Sequence, residues 1–392
     1  MSKVTFAGAV RSESMGVEIE RVEGKRQLKQ FIRFNYELYK DNPYSVPDLY
    51  EDMVATFGRN TNAAFEFCEA DYFLARRGGK VAGRVAAIIN RKANSIWGEK
   101  VVRFGWIDFV DDEEVSKALI ETVVKWGKDR GMTRLEGPLG FTDMDAEGTL
   151  VEGFEELGTM STIYNYPYYE RHFVRLGLEK AVDWVELNMV IPEKVPERLV
   201  RVATVVEKRL HLHVRKLKSV KEIKDTGVGY KVFELINEAY RGLFGFAPMS
   251  RSQIDQYVGT YLQFIDLRMV TLVEDSEGDL VAVGISMPSL SRTLQRAKGK
   301  LLPFGWMHFL RTLVMKRYPD TLDLLLVGVK PEYQGKGVVA MLFTDLIPIY
   351  QQLGFKYVET NPELETNLKI RSQWQYFETR LHKRRRCYRL DL

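Results

Sequence analysis

Cysteine is scarce. Cys68 and Cys387 are the only two in 392 residues, too few for a disulfide framework, and a reducing cytoplasm is the simplest home for such a chain. An excess of one charge is also missing. Fifty-seven Lys and Arg against 53 Asp and Glu leave +4, too little over this length to argue for nucleic acid. No stretch approaches the roughly 18 uncharged apolar residues that span a bilayer, so any membrane contact is expected to be peripheral, at the inner face. Residues 1–16 are polar and lack the apolar centre of a signal peptide. The five histidines show no metal-ligand spacing, and no metal is expected. Neither cysteine stands in a recognisable nucleophile context. Low-complexity segments are absent.

What is present is the balance of an ordinary globular protein, 45% apolar and 28% charged. Hydrophobic periodicity alternates between strand and helix. In the first half, strands are expected at 17–22, 72–75, 81–89, 102–109, 134–136 and 182–189. Gly78-Gly79 turns the hairpin. Helices are expected around Leu28, Phe31, Ile32 and Tyr36, then from 111 to 129 and from 168 to 176. The same order returns after Pro192 and Pro196, through a linker helix at 197–210. Strands are expected at 213–217, 268–274, 280–287, 322–329, 355–359 and 386–390, with helices at 232–240, 251–264, 337–353 and 363–380. This predicts an α/β chain of two similar domains, each a mixed, mostly antiparallel sheet flanked by helices. The organisation is a polar tail at 1–16, a first domain at 17–192, a linker helix at 193–211 and a second domain at 212–392.

The most informative segment is Val327-Gly328-Val329-Lys330-Pro331-Glu332-Tyr333-Gln334-Gly335-Lys336-Gly337-Val338-Val339. A buried strand leads through a glycine turn into a helix, whose first N–H groups lack internal partners and sit at its positive end. That arrangement suits a pyrophosphate, although a plain strand-to-helix turn uses glycine as well. The segment resembles the acyl-CoA-binding motif of the GNAT acyltransferases: Gln or Arg, two residues, Gly, one residue, then Gly or Ala. Gln334 and Gly337 fit; Val339 departs from the small residue usual at the last place. The resemblance covers 212–392 well and 17–192 in element order only. It implies a tandem GNAT protein, with a fainter likeness to bacterial acyltransferases of sphingoid bases. It further implies that acyl-CoA or acetyl-CoA is the co-substrate and that Val327, Val329, Gln334, Gly335, Lys336, Gly337, Val338, Val339 and Asn367 hold it. A strand N–H near residues 327–329 would polarise the thioester. Where the family commonly has an acid Tyr, seven residues after the Asn, this chain has Trp374. Either Tyr376 or Tyr388 substitutes, or no side-chain acid is used, and Glu332, Glu359 and Asp145 are the candidate bases.

In the first half, Asp111-Asp112-Glu113-Glu114 stands where a phosphate loop would be, and four carboxylates repel a pyrophosphate. The first domain is therefore read as a degenerate GNAT-like domain that does not bind CoA. The loop 137–148 carries Asp143, Asp145 and Glu147 and is followed by Asn165, Tyr166 and Tyr168. Carboxylates among aromatics suit an amine acceptor, and a solvated connection with helix-capping Asp is the bland alternative. Residues 303–317 read as an amphipathic helix, packed on its domain or forming an acyl-chain or membrane-facing wall. The basic run 380–389 suits anionic lipid, the CoA 3′-phosphate or a charge-guarded strand edge; no nucleic-acid module accompanies it. The function expected is acyl-CoA-dependent transfer to an amine, small or lipid-like. The alternative is a non-catalytic acyl-CoA-binding or assembly protein, favoured by Val339 and Trp374.

Overall fold

A computed structural model of the protein describes residues 16–261, 265–367 and 373–392. The tail up to residue 15 lies outside the described residues, as do the end of the helix expected at 251–264 and part of that expected at 363–380.

Fourteen strands are formed among the described residues: β1 Glu18–Arg21, β2 Cys68–Arg77, β3 Lys80–Asn90, β4 Val101–Phe109, β5 Arg134–Gly137, β6 Thr149–Glu152, β7 Glu179–Val190, β8 His213–Arg215, β9 Val270–Glu274, β10 Leu280–Pro288, β11 Thr321–Val329, β12 Tyr357–Thr360, β13 Glu363–Leu364 and β14 Thr379–Asp391. Gly78 and Gly79 both take positive φ, the pairing that matches the twist of a two-residue hairpin between β2 and β3. The helix Glu113–Lys128 starts on Asp112, whose carboxylate accepts from the N–H groups of Glu114 and Val115. The acidic run of the first half is thus a helix cap, tied down further by Arg77 and Arg175.

All fourteen strands share one mixed sheet, in the order β1-β2-β3-β4-β5-β14-β7-β12-β11-β10-β9-β8, with β6 beside β14 and β13 beside β7. Two pairs are parallel, β4 with β5 and β11 with β12; the others are antiparallel. The centre of this order carries the main surprise. The last strand of each half lies beside the fifth strand of the other: β14 pairs with β5, and β7 pairs with β12. The halves are therefore joined by exchanged strands. Helices Glu197–Leu210 and Val339–Gln352 cover one face of the second half; Val228–Ala239 covers the other.

The exchange explains two departures from expectation. The final strand begins at Thr379, not 386, because its cations are matched inside the sheet. Lys383 and Arg385 meet Glu186 at 3.0 and 2.5 Å, Arg386 meets Asp183 at 2.8 Å, and Arg380 meets Glu156 at 2.6 Å. The run 380–389 is an interior strand with internal partners, not a charge-guarded edge. The helix expected at 363–380 does not form over its described residues. Glu363–Leu364 pairs with β7, and Trp374–Tyr376 is one 3-10 turn. That turn is pinned by the Trp374 indole on the Glu363 carboxylate at 2.9 Å and by its ring against Phe343. Residues 303–317 are helical at Trp306–Phe309 and continue as a π turn over Leu310–Val314.

Candidate active site

β11 and β12 pair in parallel for four residues, from Thr321 with Tyr357 to Leu324 with Thr360. β12 then ends, while β11 runs on to Val329 and leaves one strand edge without a strand partner. A register shift against β10 falls at the same point, with Ser286 opposite Leu324 and Ile285 opposite Leu326, so Leu325 is the extra residue of a bulge. Side chains take the carbonyls of the unpaired edge: Asn361 Nδ2 donates to Leu325 O at 2.6 Å, and the Tyr240 hydroxyl donates to Val327 O at 3.2 Å. The N–H and C=O of one extended residue share an edge, so the Val327 N–H faces the same opening.

At the end of this edge the chain turns into the helix Val339–Gln352. Gln334 Nε2 bonds back to Val329 O at 3.2 Å, and Gly335 and Gly337 take φ of 75° and 84°, conformations that favour glycine. A Cβ on Gly335 would meet nothing within 4 Å; one on Gly337 would lie 2.9 Å from Val202 of the helix Glu197–Leu210. Gly335 and Lys336 are exposed, whereas Val338 and Val339 are buried in the core with Leu342 and Leu346. Val339 therefore points away from the turn, and its size does not crowd it. Trp374 is core as well. Tyr376 packs against the core of the second half, with the Arg198 guanidinium 5.1 Å from its ring. Asn367 bonds through its N–H to Leu364 O at 2.9 Å. Tyr388 is not brought to the turn. It is buried in the core of the first half against Phe173, opposite Gly137 of β5, and burial raises its pKa further.

Among the proposed bases, Glu332 is exposed beside the turn. Glu359 is occupied: Asn188 Nδ2 lies 2.7 Å from it and His382 Nε2 2.8 Å. A further carboxylate escaped the sequence reading. Asp323, in β11, faces Glu359 in the parallel register, is 2% exposed and has no hydrogen bond of good geometry on either oxygen. Burial pushes its pKa up to about 7, and the Ser289 hydroxyl draws it only part of the way back. One signal could have found it: a single carboxylate inside Leu322-Asp323-Leu324-Leu325-Leu326-Val327.

The acidic loop 140–148 of the first half lies against the second. Asp143 accepts from Ala247 N at 3.0 Å, and Met144 packs with the core beneath helix Val228–Ala239. Arg103 of β4 reaches between them, donating to Gly140 O and Gly245 O, both at 3.2 Å. Burial raises Asp143 to about 6 against the pull of Arg103. It raises Asp145 to about 6 against the amides of Thr142 and Phe141. Glu147 is raised too, by burial and then by Asp143, and its Oε1 is buried without a partner. Asp145 holds its own turn, accepting from Thr142 N at 3.0 Å. Asn165, Tyr166 and Tyr168 are not part of this group. Asn165 clamps Leu150 in β6, Tyr166 bonds to Leu38 O, and Tyr168 bonds to Phe109 O inside the first half.

In the first half the corresponding opening is filled. β4 and β5 pair over three residues, then Leu139 N bonds to Phe104 O at 3.0 Å, and a Cβ on Gly105 would meet Leu139 O at 2.4 Å.

No family model matches the chain. It superposes on a tandem GNAT protein from the clavulanic acid biosynthesis pathway with a TM-score of 0.55 at 12% identity, over 96% of this chain and 98% of that one. A probable N-acyltransferase from Enterococcus faecalis V583 gives 0.52 at 8% identity, over 96% and 72%. The chain has the fold of the tandem GNAT proteins. By sequence it is 24% identical over 376 residues to protein YghO of Escherichia coli (strain K12), covering 93% of each. It is 25% identical over 364 residues to the bacterial ceramide synthase of Caulobacter vibrioides, covering 91% of this chain and 92% of that one.

Proposed function

We propose that this GNAT protein transfers an acyl group from acyl-CoA to an amine. The carrying observation is the turn Gly335–Gly337, exposed at the start of a helix and at the end of the unpaired edge of β11. Helix-start N–H groups would receive the CoA pyrophosphate, and the Val327 N–H would polarise the thioester carbonyl. The amine enters from the side of the loop 140–148, where burial favours the neutral forms of Asp143 and Glu147 until the ammonium group draws out their charge. Asp323, held near neutrality, takes the proton that frees the nitrogen lone pair. Attack on the thioester carbon forms the amide, and CoA leaves as its thiolate, which a proton neutralises. Ceramide is the amide of a long-chain amine, and the likeness to a ceramide synthase along nine-tenths of the chain supports an apolar-tailed acceptor. Glu332, Glu359 and Tyr376 remain secondary candidates for proton handling.

Calorimetric titration of the full chain with acyl-CoA tests the cofactor site. Lys336→Glu puts an anion on the exposed turn without touching the core. It is expected to weaken binding at least ~tenfold, or ~1.4 kcal/mol; unchanged affinity removes the turn from the site.

A further inference from the structure

Seven of the eighteen large apolar side chains that are exposed on the described residues fall between 302 and 315, with Leu302 at 73%, Val314 at 69% and Phe304 at 67%. Scattered apolar residues on a surface need no explanation, but a contiguous patch does. Spare core is not the reason, because the segment has a separate inner face. Phe309 and Leu313 pack with Met287, Leu290 and Leu294, and the buried Thr312 hydroxyl lies 2.9 Å from that of Thr293.

The charge of the same region is one-sided. From residue 280 to 319 there is no Asp or Glu, and seven Lys or Arg are present. All seven are exposed. Among the described residues only Lys316 has an acid within 4 Å, Asp266 at 3.8 Å, and Arg268 holds that acid at 2.6 Å. Strand β14 is the contrast. Its arginines and lysine are as dense, yet Arg380, Lys383, Arg384, Arg385 and Arg386 each meet an internal carboxylate. The cations of 292–317 have been left for something outside the chain.

We propose that the segment 292–317 docks the protein on an anionic lipid bilayer. Its outer apolar side chains enter the headgroup boundary, and the surrounding Lys and Arg side chains meet lipid phosphates. A second copy is the poorer occupant, since a two-fold contact through this patch would set seven cations against seven. The inner side of the segment adds a consequence. Phe309 and Leu313 line an open groove of about 660 Å³ with Pro288 and Tyr318, flanked by Asp266, Arg268 and Lys316, and Leu325, the bulged residue of β11, packs on the same small core of Met287, Leu290 and Leu294. A lipid tail entering this groove would lie against the same small core that supports the bulge of β11. The docking itself does not depend on the acyl-transfer reading.

The test is co-sedimentation of the full chain with vesicles of phosphatidylcholine, with and without phosphatidylglycerol. The doubly substituted Phe304→Glu/Trp306→Glu chain is compared after its melting temperature is shown to be kept. Wild type should bind the anionic vesicles at least ~tenfold better than the neutral ones and lose binding in high salt; the variant should bind at least ~tenfold less. Three results overturn the proposal: no binding by wild type, equal binding by the variant, or a wild-type dimer that the substitutions convert to monomer. A second variant, Arg311→Glu/Arg317→Glu, leaves the apolar patch intact and must also weaken binding to the anionic vesicles.

Discussion

Asp323 and Glu359 stand opposite each other in the parallel register of β11 and β12, yet their surroundings differ. Glu359 accepts from Asn188 through one oxygen and has His382 Nε2 2.8 Å from the other, a contact that is not a well-formed hydrogen bond; neither oxygen of Asp323 has a well-formed one. In the proposed mechanism Glu359 is the anchored carboxylate and Asp323 the one that exchanges a proton. Catalysis by Asp323 needs its charged form. The rate of amine acylation should therefore fall as pH drops through about 7, following a single proton. Asp323→Asn should remove that step and cost ~10²–10⁴ in rate. A profile that is flat from pH 6 to 8 would remove Asp323 from the mechanism.

The same carboxyl makes an opposite prediction for stability. An acid whose pKa is higher folded than unfolded favours the folded state when protonated. That contribution is whole below the ordinary carboxylate pKa and is lost as pH rises through about 7. Asp323→Asn should therefore melt higher than wild type at pH 8, by a few degrees, with the advantage shrinking toward pH 5. Equal or lower melting at pH 8 would show that the buried charge has a partner after all.

Lys383 and Glu186 test the exchanged strands. Each is 1% exposed or less and they lie 3.0 Å apart, while Arg385 closes on the other oxygen. Burial alone would raise Glu186, but the two cations hold it below the usual carboxylate range. Lys383→Met leaves Arg385 as the main counter-charge and should destabilise by ~3–5 kcal/mol in denaturant unfolding. Adding Glu186→Gln should not restore it, because Arg385 then lacks its acid. Full recovery in the double variant would mean that the Lys383–Glu186 pair acts alone.

Glu147 and Asp143 carry the acceptor site of the proposal. Glu147→Gln and Asp143→Asn should raise the KM for the amine roughly tenfold, about 1.4 kcal/mol each, and leave acyl-CoA affinity as it is. Losses in acyl-CoA affinity of the same size would assign the loop to folding instead.

Much of the fold was legible because it rests on local rules. The hairpin at Gly78-Gly79, the cap at Asp112 and the strand-to-helix turn at Gly335 each follow from residues within a few positions. The exchange of β7 and β14 was not legible, since either strand can pair with either neighbour and no local pattern distinguishes them. It also hid the length of β14, whose lysine and arginines look solvated in sequence and are paired across more than 190 residues with Asp183 and Glu186. At the site, the turn could be read from glycine spacing. Asp323 could not be weighed until Glu359 was seen to be occupied. Tyr166 and Tyr168 follow the acidic loop in sequence, but their hydroxyls are bound inside the first half.

Release of free CoA thiol from acyl-CoA by the intact chain, followed while amines of increasing chain length are supplied, tests the central claim most directly. We predict thiol release only when an amine is present, equal in amount to the amide found by mass spectrometry and strongly reduced in Asp323→Asn. Tight acyl-CoA binding with no thiol release for any amine would contradict acyl transfer and leave an acyl-CoA-binding protein in its place.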